Sequence, residues 1–141
     1  MNSPLPHRQT RKPLDQLNVL VVDDDPFQLE VIADSLMGIG VRQVTQATGG
    51  AMALNLITQA KSAPFDLMLS DLHMPGMDGF EFMAEVAQKG FKGALVIVSG
   101  QTSDVLHSAS LVARLRRFNL LGMLAKPVDK SALAALVRQL T

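Results

Sequence analysis

The chain has 141 residues, 48% of them hydrophobic and 18% charged, with no long apolar run, which suits one soluble domain around one core and argues against a membrane-spanning or disordered chain. Thirteen basic residues balance thirteen acidic ones, and with no Tyr, no Trp and six Phe there is neither an overall field nor a stacking platform for nucleic acid. The absence of Cys removes disulfides, thiolate metal sites and cysteine nucleophiles together; with no signal-type segment at the N-terminus, it fits a cytoplasmic location.

Residues 1–16, with Pro4, Pro6, Pro13 and the basic Arg8, Arg11 and Lys12, lack apolar periodicity and read as a flexible lead-in to a domain over 17–141; three charges are few for anchoring to a membrane. The run 17–22 is short, apolar and β-branched, the pattern of a strand covered on both faces. It ends in Asp23-Asp24-Asp25-Pro26. Asp25 as N-cap, Pro26 at the first helical position and Gln28 three residues after the cap predict a capping box and a helix ending near Gly38 or Gly40. Residues 41–47 form a second, more exposed strand, and Thr48 is the expected cap of a helix over 49–61. A third strand, 65–70, leads into Asp71. After the Pro75-Gly76 loop, Asp78 and Glu81 make another capping box for a helix to about Lys89. A fourth strand, 93–98, ends at Ser99-Gly100; a helix is expected over 103–118, a fifth strand over 120–125, and a last helix capped by Asp129.

Five alternations of strand and helix specify an α/β doubly wound parallel sheet with helices on both faces. In such a sheet all C-terminal strand tips share one edge. Four of the five tips carry polar groups: Asp23 and Asp24, Asp71, Ser99, and Lys126.

Two like charges about 4 Å apart repel by roughly 4 kcal/mol at an effective dielectric near 20, so clustered carboxylates call for a divalent cation. The donors are hard oxygens, which selects Mg²⁺ or Mn²⁺. Lys126 adds nothing to a site built only for cations; it makes sense if an anionic phosphoryl group also arrives. Asp71 is then the nucleophile, able to form an aspartyl phosphate without a general base. The Ser99 hydroxyl and Lys126 ammonium would hold the transferred group.

The stretches 21–26 (VVDDDP), 69–79 (LSDLHMPGMDG), 98–100 (VSG) and 125–127 (AKP) resemble those of the receiver domain of two-component response regulators, over about residues 17–140. The resemblance implies strand order 2-1-3-4-5, the flavodoxin-like order. It implies that Asp71 accepts a phosphoryl group from a histidine kinase or histidine phosphotransfer protein, with slow autodephosphorylation and no turnover of an external substrate. By the same resemblance Asp24 binds Mg²⁺ directly, the backbone carbonyl of His73 is another ligand, Asp23 acts through metal-bound water, and Lys126-Pro127 is a cis peptide. The His73 side chain and Gln101 occupy positions that tune phosphoryl lifetime. Partner or output-domain binding would use the fourth helix, fifth strand and fifth helix.

Two departures stand out. Met123 occupies the place of the usual aromatic switch residue, three positions before the lysine. The stretch from Ser99 to Lys126 is longer than usual by more than a helical turn and resembles that of receivers preceding cyclic-di-GMP phosphodiesterase domains of the EAL type. The alternatives are a constitutive interaction module that retains the site, a phosphohydrolase with an Asp nucleophile, and a flavin protein. Asp25 is committed to a cap in the second case, and the first loop is acidic where a flavin phosphate needs donors in the third.

Overall fold

The computed structural model describes residues 11–100 and 117–141. Five parallel strands, β1 (Asn18–Val22), β2 (Gln43–Ala47), β3 (Leu67–Ser70), β4 (Ala94–Ser99) and β5 (Asn119–Ala125), form one sheet in the order β2-β1-β3-β4-β5. This is the expected order. Most of the helix expected over 103–118, and Gln101 with it, lies outside the described residues; of its last two positions, Arg117 is in a turn with φ 61° and Phe118 is not helical, so neither belongs to a helix.

The period-2 alternation of the strands divides the core in two. Val19, Val21, Leu67, Leu69, Val96 and Val98 face helix α1 (Pro26–Gly38) and a C-terminal helix (Lys130–Val137), through Leu29, Ile32, Leu36, Leu133 and Val137. Their neighbours Leu20, Val22, Met68, Leu95 and Ile97 face α2 (Gly50–Gln59) and α3 (Gly79–Gln88), through Ala53, Phe82, Met83 and Val86. Strands apolar at every position are therefore buried on both sides, as parallel strands joined by helical crossovers must be. Burial of Leu17 through Val22 is nearly complete apart from the half-buried Asn18.

Caps follow the sequence with two corrections. Asp25, Asp78 and Asp129 accept hydrogen bonds from backbone N–H groups of the first turns they precede. Thr48 does not cap α2: the N-cap is Gly49, and the Thr48 hydroxyl donates to Met52 Sδ at 3.7 Å. Gln28 does not complete its capping box, for a reason that belongs to the site below.

Contacts begin before residue 17. Lys12 N donates to Leu140 O, its ammonium pairs with Asp66 (3.0 Å), Arg11 donates to Thr141 O, and a 3₁₀ turn at Leu14–Gln16 lays Leu14 against the core. The Lys12 pair is substantially exposed and is worth at most about 1 kcal/mol. The apolar contact of Leu14 adds to it.

At the other rim, β5 carries one extra residue. Leu95 pairs with Leu120 but Val96 pairs with Gly122, which leaves Leu121 as a bulge. Gly122 lies directly under Leu136 of the C-terminal helix, where a Cβ would collide with that side chain.

Candidate functional site

The parallel ladder continues past the strand tips and fixes the site backbone. Asp23 N donates to Ala47 O (3.1 Å), Asp71 N to Val22 O (3.0 Å) and Lys126 N to Ser99 O (3.1 Å). Asp23, Asp71 and Lys126 are thus each held one step beyond the end of a strand, and Ser99 at the last position of β4, all at the same edge of the sheet. Asp23, Asp71 and Ser99 are almost fully buried, whereas Asp24 is exposed.

Asp71 is bound on both oxygens. Oδ1 accepts from His73 N (2.8 Å) and Oδ2 from Lys126 Nζ (2.6 Å). The same ammonium lies 2.8 Å from Asp23 Oδ2, but off the hydrogen-bonding direction, so that buried oxygen has a charge contact and no hydrogen bond. Asp23 Oδ1 accepts from Asp25 N (2.9 Å). This bond takes the N–H that a capping box would give to Gln28, and Gln28 Oε1 is accordingly buried without a hydrogen-bond partner. Burial alone would lower the pKa of Lys126; attraction to Asp23 and Asp71 outweighs it and holds the ammonium above its ordinary value.

Asp23, Asp24 and Asp71 each offer an oxygen within 4.8 Å of the others. These are hard donors, two from buried residues and one open to water, and Asp23 Oδ2 has an unused lone pair. The set fits a small divalent cation that keeps part of its hydration shell.

The loop after β3 is more structured than Pro75-Gly76 alone suggests. His73–Met74 pairs antiparallel with Met77–Asp78 across the turn, where Gly76 has φ +74°. His73 presents its backbone to Asp71 and its side chain to solvent. The turn is then stapled to the domain at two glycines: a Cβ on Gly79 would strike the backbone carbonyl of Leu72, and one on Gly50 the thioether of Met77. Gly79 is a positioning residue that sequence reading missed, because the Asp-Gly pair at 78–79 is accounted for by the cap alone. We expect Gly79→Ala to cost about 1–3 kcal/mol in urea unfolding and to slow any reaction at Asp71, since relief must come from the Asp71-Leu72 backbone. Unchanged stability and reactivity would remove Gly79 from this role.

The cis peptide implied at Lys126-Pro127 is present. Met123 lies on β5 opposite Ile97 and is 37% exposed. Of the site residues named from sequence, Asp23, Asp71 and Lys126 are in direct contact, Asp24 lies within ligand distance of the carboxylates, and Ser99 and His73 reach the cluster through their backbones.

Comparison with known proteins agrees with this architecture. The family model described as "Response regulator receiver domain" matches residues 19–138. The probable chemotaxis protein CheY of Rhizobium etli is 30% identical over 80% of this chain and 83% of its own length. The cyclic di-GMP phosphodiesterase RocR of Pseudomonas aeruginosa is 30% identical over 88% of this chain, and the two-component response regulator ARR2 of Arabidopsis thaliana is 37% identical over 83%. The chain spans only 31% of the former and 16% of the latter. Among solved structures, a response regulator from Colwellia psychrerythraea superposes with a TM-score of 0.73 at 28% identity, covering 89% of this chain and 96% of that one. With its four tip motifs on one edge of a 2-1-3-4-5 sheet and a match running almost the whole length of the fold, the chain belongs to the response regulator receiver domain family.

Proposed function

We propose that this domain is a phosphoacceptor signalling module in which Asp71 takes a phosphoryl group from the phosphohistidine of a histidine kinase or histidine phosphotransfer protein. The observation that carries the reading is the buried Asp71 carboxylate, held at one oxygen by Lys126 and surrounded by two further carboxylates at ligand distance. A carboxylate oxygen attacks phosphorus as the P–N bond breaks, and the imidazole leaves with a proton from solvent or partner. His73 N and Lys126 Nζ orient the nucleophile beforehand. As the P–O bond forms, the Lys126 ammonium transfers from the carboxylate to a phosphoryl oxygen, with the Ser99 hydroxyl as the other contact.

Asp24, Asp71 and the His73 carbonyl would hold Mg²⁺, with Asp23 acting through water; Mn²⁺ suits the same donors. Bound there, the cation neutralises charge on the transferring oxygens. The product redistributes two existing conformations of the domain and so changes its affinity for an output domain or separate target. The likeness to RocR, together with the long stretch between Ser99 and Lys126, favours an output concerned with cyclic di-GMP. β5, the C-terminal helix and the fourth helix expected from sequence are the proposed readout surface, with Met123 of β5 as an exposed side chain. The module turns over no external substrate, and its place is the cytoplasm; among the described residues, no helix is long and apolar enough to cross a membrane.

Intact mass after incubation with Mg²⁺ and acetyl phosphate tests the reading. The expected result is one added phosphoryl group, absent when EDTA is present. No addition, or addition indifferent to EDTA, would favour a constitutive module instead.

A further inference from the structure

A second site lies on the opposite edge of the sheet, where β3 and β4 begin. There a cavity of about 360 Å³ opens between the C-terminal ends of α2 and α3, within the range of about 300–1,000 Å³ that holds small molecules. Its apolar wall is Ile57, Phe65 and Phe91, and its polar lining includes Lys61, Lys89 and Lys92.

The local backbone explains how the wall is built. Gly90, at φ +79°, ends α3; its N–H donates to Ala87 O and that of Phe91 to Val86 O. This double bond pattern turns the chain back so that the Phe91 ring packs inward. Ala60 N likewise serves the Leu56 and Ile57 carbonyls at the end of α2. The carbonyls of Leu56, Ile57, Val86 and Ala87 thus already have backbone donors.

The charge balance there is one-sided. Lys61, Lys89 and Lys92 are exposed and have no ion pair. Asp66, the only carboxylate in the lining, is occupied by Lys12 and by Asn18 N. Three ammoniums outweigh two helix ends, each equivalent to roughly half a negative charge. An apolar wall under a surplus of positive charge is complementary to a flat apolar body bearing an anionic group.

We propose that this cavity binds a small aromatic acid, its ring against Phe65 and Phe91 and its anionic group among Lys61, Lys89 and Lys92. The site is independent of phosphoryl transfer, since β3 separates it from Asp71 by the full length of the strand.

The probe is 1-naphthoate, titrated into the whole chain and followed by amide ¹H–¹⁵N shifts. Saturable shifts are expected at Phe65, Gly90, Phe91 and Gly93, weaker with neutral 1-naphthalenemethanol and with inorganic phosphate alone. The Lys89→Gln/Lys92→Gln variant should bind about tenfold more weakly, a change of about 1.4 kcal/mol, with shifts elsewhere showing an intact fold. Asp71→Asn should bind as the native chain does, so the result stands apart from the phosphoacceptor reading. Absence of saturation at millimolar naphthoate, shifts scattered over the surface, or affinity unchanged in the double lysine variant would overturn the proposal. Preference for inorganic phosphate over naphthoate would also overturn it, by showing charge without a pocket.

Discussion

Asp71→Asn is expected to abolish phosphoryl uptake while leaving the fold in place. The amide keeps an oxygen to accept the His73 N–H that now bonds Oδ1 at 2.8 Å, so the loop loses little. Its nitrogen, however, is neither a nucleophile nor an acceptor for Lys126, and the ammonium must turn to Asp23, already 2.8 Å away. Intact mass with Mg²⁺ and acetyl phosphate should show no added phosphoryl group, alongside unchanged amide shifts in the core strands. Uptake at the native rate would show that another residue is the acceptor and sink the assignment.

Lys126→Met should be the most costly single change at this edge. The native ammonium is the shared counter-ion of two carboxylates that are almost wholly buried. Taking it away leaves like charges with no counter-ion, for which breaking a buried pair costs about 3 kcal/mol at neutral pH. Mg²⁺ should recover part of that loss, because a cation held by the carboxylates restores the missing charge.

The pH dependence has a definite sign. The folded-state pKa of Lys126 is raised, so its stabilising contribution is complete below the ordinary lysine value and is lost as pH rises through the folded one. Urea unfolding should therefore show a decline for the native chain above about pH 10 that is smaller in Lys126→Met. Equal stability of the two at pH 7 without divalent cation, or identical alkaline declines, would mean the ion pairs are not coupled to folding.

Much of this arrangement was legible in sequence because it rests on local and periodic signals. Apolar strands ending in Asp23, Asp71, Ser99 and Lys126 needed only the rule that parallel strands share a C-terminal edge, and the structure brings those tips together. The misreadings came where sequence offered more than one partner for a group, or showed none. Gln28 lost its capping bond to Asp23, a residue held in place by β2. Thr48 lost the cap to Gly49. The pairing of His73–Met74 with Met77–Asp78 was hidden because two-residue strands carry no periodicity. The engagement of Lys12 with Asp66 depends on a residue 54 positions away, and no window on the lead-in could contain it.

The bulge at Leu121 bears on how copies of this domain can meet. β5 is a rim of the sheet, and an uninterrupted rim offers its backbone as a template on which another chain can add a strand. Here the spacing of that template breaks after Leu120, so a neighbouring strand would fall out of step after two rungs. Uninterrupted addition of a strand along the whole of this rim is thereby disfavoured.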